Sequence, residues 1–522
     1  MDTENVDPSA AQAPAEPVAS APRSSYDPAR PRAPRHDVPP PRQFVTSHEA
    51  VIGGETINFT VTAGETYLYT DHGDPIGAVF SYAYVKDGAP AGQRPVVFIT
   101  GGGPGAASNV LQIGVLGPWA VPTSRLEIVD GRQPSPTPPY DFEDNPDSLL
   151  DTADLVFIDT VGTGHSRVVG TGTGADFWGV DEDADMTAQF IHTWITKNGR
   201  WNSPKFFLGE SYGGTRAALV TTALMGSPWY QGYSRAIALN GVICLVNGLG
   251  LPLGNEGVGP AALTATRLPA FAATAWHHQV IDRRGRSLEE YFEEAYRFAC
   301  GEYLDALVKE AGGALPASER ADVVKKAAEF TAVPVTALEG TLGIDEFTFA
   351  RTVLAGQGRA VGVYDSRYTS PLGGAGDVIL DDAALSRFFP VTAGVFNNLE
   401  KTRLGVEMDQ PYTTIAWRGL LETWNFARRP QVYGDGLGKG TTADDLALAM
   451  RRNESLHLMV GSGYFDLVAG AGLARYAVEQ AGMPQDRLVV RNYYGGHEPY
   501  LDSGNRHVLA EDLRQFIRKA AG

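Results

Sequence analysis

The segment Lys205-Phe-Phe-Leu-Gly-Glu-Ser-Tyr-Gly-Gly214 constrains the fold of this chain more than any other. Its first four residues read as a strand buried on both faces, and Arg216-Ala-Ala-Leu219 beyond it favours a helix. Between them, Gly209-Glu-Ser211-Tyr-Gly213 is a G-x-S-x-G turn. A serine so placed sits on a strained elbow, and the flanking glycines allow a close approach that larger side chains would block. A strand that enters a tight turn and leaves as a helix is a unit of an α/β sheet.

Other segments extend that pattern. Pro95–Thr100 and Ala153–Asp159 are continuous apolar runs, each ending in a glycine-rich turn, as expected of central strands. Ahead of them, Glu55–Thr62, Thr66–Thr70 and Gly77–Val85 alternate in polarity between turn residues and predict antiparallel hairpins. Met186, Phe190, Ile191, Trp194 and Ile195 recur at helical spacing, and the acids from Asp181 onward suit a helix N-terminus. From about Leu251 to Arg429 the strand rhythm gives way to helical periodicity, with a capping box at Ser287-Leu-Glu-Glu290 and a helix over Ser318–Phe330. Strand and helix alternation resumes at Leu456–Val460 and Arg487–Val490, and a last helix spans about Val508–Ala520. The expected organisation is an arm over 1–43, a core over 44–250, a helical lid over 251–429 and the rest of the core over 430–522.

The arm holds 10 of the 34 prolines and 8 alanines, too little apolar surface to offset its ordering entropy, so it is expected to be disordered or extended. It carries six acids and five arginines, which leaves about −17 of the net −18 on the body of the chain. So acidic a surface repels phosphate and argues against nucleic acid or an anionic membrane as partner. The 2 cysteines, Cys244 and Cys300, build no disulfide framework. With no secretory signal pattern and no long apolar run, a cytoplasmic protein is expected.

A serine hydroxyl is a weak nucleophile at neutral pH and needs a base, which in turn needs an orienting group. Asp466, in Gly461-Ser-Gly-Tyr-Phe-Asp466, follows one buried strand, and His497, in Tyr494-Gly-Gly-His497, follows the next. Ser, then Asp, then His, all at strand ends, is the chain order of α/β-hydrolase catalytic residues. A tetrahedral intermediate also needs two N–H donors. Tyr212, just after Ser211, supplies one, and the loop Gly101-Gly-Gly-Pro-Gly105 after the strand at Val96–Ile99 supplies the other. Gly170-Thr-Gly-Thr-Gly174 lacks the lysine of a phosphate loop, and Asp181-Glu-Asp-Ala-Asp185 lacks the glycine and glutamate of a calcium loop. No zinc spacing is present, so neither metal nor cofactor is expected.

These residues together resemble the serine carboxypeptidase family, through Gly102-Gly-Pro-Gly105, Leu116-Gly-Pro118, Asp159–Arg167 (DTVGTGHSR), Gly209–Gly214, Asp466 and Gly495-Gly-His497. The resemblance implies an α/β-hydrolase mixed sheet with a helical lid insertion. It implies Ser211 as nucleophile, His497 as base, Asp466 as its orienter, and Gly103 with Tyr212 as oxyanion donors. It further implies that a substrate's C-terminal carboxylate is bound by an Asn opening N-G-G-P-G, an acid before L-G-P and the Glu before the nucleophile. Here those positions are Gly101, Val115 and Glu210, so the grip on a carboxylate is weakened. Where the family has Met after the histidine, this chain has Glu498, which would repel a carboxylate and attract an amine. Gly101, Gly102, Glu210 and Glu498 are therefore the candidate substrate-binding residues.

The leading expectation is a serine carboxypeptidase-like hydrolase that forms an acyl-enzyme at Ser211 and acts on a peptide or a small acyl substrate. An acyltransferase, esterase or amidase keeps the same acyl-enzyme and changes the acceptor or the substrate. A catalytically inactive binding module is the third reading, and the complete set of catalytic side chains weighs against it.

Overall fold

The computed structural model describes residues 38–129, 131–226, 235–253, 257–373, 382–428 and 441–522. The expected arm lies outside the described residues as far as residue 37. The main sheet is ten-stranded. Nine of its strands, in chain order, are β1 (Gln43–Ile52), β2 (Glu55–Tyr69), β3 (Pro75–Lys86), β4 (Val96–Thr100), β5 (Asp154–Ile158), β6 (Lys205–Glu210), β7 (Gly241–Leu245), β8 (His457–Gly463) and β9 (Leu488–Tyr493). They lie side by side as β1-β2-β3-β5-β4-β6-β7-β8-β9, and the short strand Arg167–Val168 pairs with β3. β1, β2, β3 and β5 pair antiparallel, and from β5 to β9 every pairing is parallel.

Parallel strands must be covered on both faces. Val96 and Phe98 of β4 pack into one hydrophobic cluster with Phe207 and Val242, while Val97 and Ile99 pack into another with Phe206, Leu208 and Ile243. Helices α1 (Val180–Lys197) and α2 (Tyr212–Met225) cover the first cluster, and a C-terminal helix over Ser503–Ala521 covers the second. The parallel strands all present their C-terminal ends to one edge, where open α/β sheets gather ligand-binding loops.

Two expectations about the sheet change. The segments Glu55–Thr62 and Thr66–Thr70 are one strand, because Gly64 pairs with both Gln43 and Ser81 and so continues the ladder. Glu65, between the two segments, is 1% exposed and held by Arg167 at 2.5 Å. Elsewhere, β7 was not expected as a separate strand, yet it lies between β6 and β8, third from the β9 edge of the sheet.

The segment 251–429 carries helices at Pro260–His277, Leu288–Phe298, Ala317–Thr331, Leu385–Thr402 and Trp417–Leu421. The Ser287 capping box is formed, with the Ser287 hydroxyl accepting from the Glu290 amide and the Glu290 carboxylate accepting from the Ser287 amide. The segment also holds an antiparallel pair, Arg359–Val361 with Thr369–Pro371, which helical periodicity did not reveal. Gly170 and Gly172 press against the carbonyls of Pro75 and Ile76 on β3 and Gly174 against the Trp178 ring, a packing role rather than an open anion loop.

Candidate active site

β6 runs straight into α2, and Ser211 at the junction has φ 59° and ψ −124°. That backbone region is costly for a residue with a Cβ and persists only where the surroundings impose it. Three backbone bonds do so here. The Ser211 amide donates to the Leu245 carbonyl at 2.9 Å, and the Ser211 carbonyl accepts from Gly214 at 2.8 Å and Gly248 at 3.2 Å. Gly209 must lack a side chain, because a Cβ there would strike the Gly213 carbonyl.

The loop after β4 lies against this elbow. A Cβ on Gly102 would meet Ser211 Cβ at 2.6 Å and the Tyr212 nitrogen at 2.9 Å, so Gly102 lets the loop backbone touch the Ser211 turn. Two ties hold the loop in place. Arg216 of α2 donates from Nη1 to the Gly101 carbonyl at 2.6 Å and from Nε to Asp183 Oδ2 of α1 at 2.6 Å. Further along, Ser108 donates both its amide and its hydroxyl to Asp159 Oδ1, each at 2.8 Å. Sequence reasoning missed Arg216 and Asp183. A lone Arg inside an alanine-rich helix was their only signal.

Asp466 follows β8 by three residues and His497 follows β9 by four. The Asp466 side chain is fully buried, with Oδ1 accepting from the Val468 and Ala469 amides at 2.8 and 3.0 Å. Its Oδ2 accepts from His497 Nδ1 at 2.8 Å. A carboxylate only accepts, so Nδ1 carries the proton and Nε2 of the neutral ring is free to take one. The His497 amide donates to the Tyr364 carbonyl at 2.6 Å, and the two rings meet edge-on with centroids 5.0 Å apart. Burial alone would lower the His497 pKa, but Asp466, Glu498 and Glu210 outweigh it and raise it to about 9.

Ser211, His497, Gly101, Gly102, Gly103, Tyr212, Glu210 and Glu498 all line one cavity of about 200 Å³. Asp466 stands behind His497 and does not reach it. Among the described residues, no hydrogen bond joins Ser211 to His497, as is common before a substrate draws base and nucleophile together. Glu210 is 6% exposed and accepts from the Tyr500 hydroxyl at 2.6 Å. Burial pushes its pKa up to about 7 even though Tyr500 and His497 pull it down. Glu498 does not point outward to solvent. It is 7% exposed, and burial holds its carboxyl well above the ordinary range although His497 acts in the opposite direction.

The positions that depart from the carboxylate-binding pattern are now explicable. A side chain at 101 would run into the Ala107 carbonyl, so the loop as folded has no room for an asparagine there. Val115 is fully buried in the core and does not line the cavity.

A strand order with a serine elbow at the end of β6 defines an α/β-hydrolase. Residues 55–299 match the model of the serine carboxypeptidase family. That match takes in the glycine loop and Ser211, while Asp466 and His497 lie beyond it. Among solved structures, proline iminopeptidase from Mycobacterium smegmatis is 13% identical, with a TM-score of 0.35, covering 91% of this chain and 100% of its own. Brefeldin A esterase, described as a bacterial homologue of human hormone sensitive lipase, is 11% identical, with a TM-score of 0.32, covering 94% and 81%. An epoxide hydrolase mutant from Aspergillus niger is 12% identical, with a TM-score of 0.33, covering 88% and 78%. At these scores the fold rests on the strand order and the family match. No curated protein sequence matches the chain.

Proposed function

We propose that the protein is a serine hydrolase that cleaves a peptide, amide or ester bond through an acyl-enzyme at Ser211. His497 Nε2 removes the Ser211 proton as Oγ attacks the carbonyl, then returns it to the leaving group. Asp466 holds the ring through Nδ1 and offsets the imidazolium charge. The amides of Tyr212 and Gly103 receive the developing oxyanion, and Arg216 and Asp159 keep the Gly103 loop at the right height. Water then repeats the attack on the acyl-enzyme, with His497 again as base. A peptide or a small acyl compound is the substrate, and no metal or cofactor enters the chemistry.

The observation that carries this reading is the 2.8 Å Asp466–His497 bond at a cavity shared with a serine on a positive-φ elbow. A second reading, an esterase or amidase on small molecules, is favoured by the closed space at Gly101 and the core position of Val115. The acidic body and the two free cysteines suit an enzyme of the cytoplasm that avoids nucleic acid and anionic membranes. Among the described residues, no helix is long and apolar enough to cross a membrane.

The test is labelling with a fluorophosphonate, followed by mass analysis of the peptide that contains residue 211. One adduct at Ser211, lost in His497→Ala, is expected. An intact, folded chain that takes up no label overturns the reading and favours a binding module.

A further inference from the structure

Among the described residues, Glu498 is a buried carboxyl with no hydrogen-bonded partner. It is 7% exposed and lines the catalytic cavity, yet among the described residues its carboxyl has neither a hydrogen bond nor an ion pair. Isolated charge of this kind is expensive, and native proteins normally pair it. Glu210 lines the same cavity, and only its Oε1 is engaged, by Tyr500. Among the described side chains that line the cavity, none is Lys or Arg, and the His497 ring, which already pairs with Asp466, is the one cationic group beside the two acids.

Part of the lining is aromatic. Tyr364, against His497, lies 6.0 Å from the ring of Trp417, and Trp417 lies 6.3 Å from Phe389. Phe426 lines the same space. Two acids that share one histidine, with no lysine or arginine beside them, next to aromatic faces suit an organic cation, since the carboxylates attract the charge and ring faces tolerate the attached carbons.

We propose that Glu210 and Glu498 form a cation subsite of the catalytic cavity, which selects substrates carrying an ammonium group on an aromatic or aliphatic frame. The proposal rests on reading this cavity as the acyl-transfer site, and it supplies the substrate class for that site. The ammonium takes the place of the proton on Glu498, so binding releases a proton to solvent. The titratable and charged groups that bear on Glu498 are His497, Glu210, Asp466, Asp365, Tyr364, Tyr368 and Tyr500. Asp365 is already neutralised by Arg367 at 2.7 Å. Burial and the repulsion of neighbouring acids both raise Glu498, and a bound cation relieves both. A carboxylate ligand would instead require Glu210 and Glu498 to keep their protons, so its binding would strengthen toward acid pH.

Direct calorimetric titration of the full chain decides between them without relying on turnover. The probes are phenethylammonium, 3-phenylpropionate and 2-phenylethanol, which share a frame and differ in charge, at about pH 8, where the amine is still protonated. The expected result is ammonium binding about tenfold tighter than either other probe, with an enthalpy that varies with buffer because a proton is released. Glu498→Gln, which keeps the side-chain volume, is expected to remove that preference and the proton release. Glu210→Gln is expected to weaken the preference less, because Tyr500 already occupies one of its oxygens. Equal or tighter binding of the carboxylate, no saturable binding of the ammonium, or an undiminished preference in a folded Glu498→Gln overturns the proposal. Fluorophosphonate labelling of the same sample reports on Ser211 separately, so loss of the nucleophile reading and loss of the subsite are distinguishable.

Discussion

The Arg216–Asp183 pair offers the sharpest test of how the oxyanion loop is held. Both side chains are essentially without solvent contact, 2.6 Å apart, and Arg216 also donates to the Gly101 carbonyl at 2.6 Å. Replacing Arg216 with Met leaves Asp183 buried without its cation, which costs about 3–5 kcal/mol. Asp183→Leu strands the guanidinium at a similar cost of about 3–5 kcal/mol. The double variant should behave differently. Burial raises the Asp183 pKa even though Arg216 pulls it down, so desolvation outweighs the attraction within the pair. Removing both charges and filling the space with apolar atoms should therefore restore stability to within about 1–2 kcal/mol of the parent. Catalysis should not return, because the Gly101 carbonyl has lost its donor and the loop carrying the Gly103 amide is free to drift. A displacement of about 1 Å in such a group costs on the order of 10²-fold in kcat. Urea denaturation of the four proteins gives the stability cycle, and fluorophosphonate labelling rates with ester turnover give the catalytic one. A double variant as unstable as the singles, or one with parental turnover, refutes this reasoning.

Further outcomes follow from the same geometry. Asp466→Asn keeps the shape of the side chain but no longer holds the required His497 tautomer, so kcat should fall by about 10⁴ while the fold survives, as circular dichroism would show. His497 must be neutral to act as base, so kcat/KM should climb with pH to a midpoint above the ordinary 6.5 and toward about 9. The same raised pKa has a thermodynamic sign: the His497 contribution to stability is full below the unfolded value of 6.5 and is lost as pH climbs through about 9. Melting temperatures across that range check it, and a melting temperature that rises between those limits in the parent but not in His497→Gln contradicts it. Gly101→Asn, which copies the carboxylate-binding pattern, should slow Ser211 labelling without creating preference for free carboxyl substrates, because its Cβ strikes the Ala107 carbonyl. A gain of that preference would show that the loop yields.

Several parts of this protein were legible because their causes are local. The apolar run ahead of Ser211 and the glycines around it demand a strand, a tight turn and a helix whatever the rest of the chain does. Asp466 and His497 were proposed from chain order, and they meet at 2.8 Å because parallel strands with helical crossovers deliver their C-terminal ends to one edge. The continuous strand through Gly64 and Glu65 was not legible, since the partners of Glu65, Arg42 and Arg167, are remote in sequence. Nor was β7, whose place was decided by its neighbours β6 and β8.

The sequence by itself determined the residue types on which the proposed chemistry rests: a serine at an elbow, an acid and a histidine at later strand ends, and the absence of the usual carboxylate-binding residues at 101 and 115. Only the tertiary structure decided the electrostatics. It showed that Arg216, paired with Asp183, holds the Gly101 carbonyl and that no side chain fits at Gly101. It also showed that Glu498 turns inward beside Glu210 and a wall of aromatic rings. The physical reason is that a residue type sets which charges a side chain can carry. Burial and distant neighbours set which charge it does carry, and no stretch of sequence contains its own surroundings.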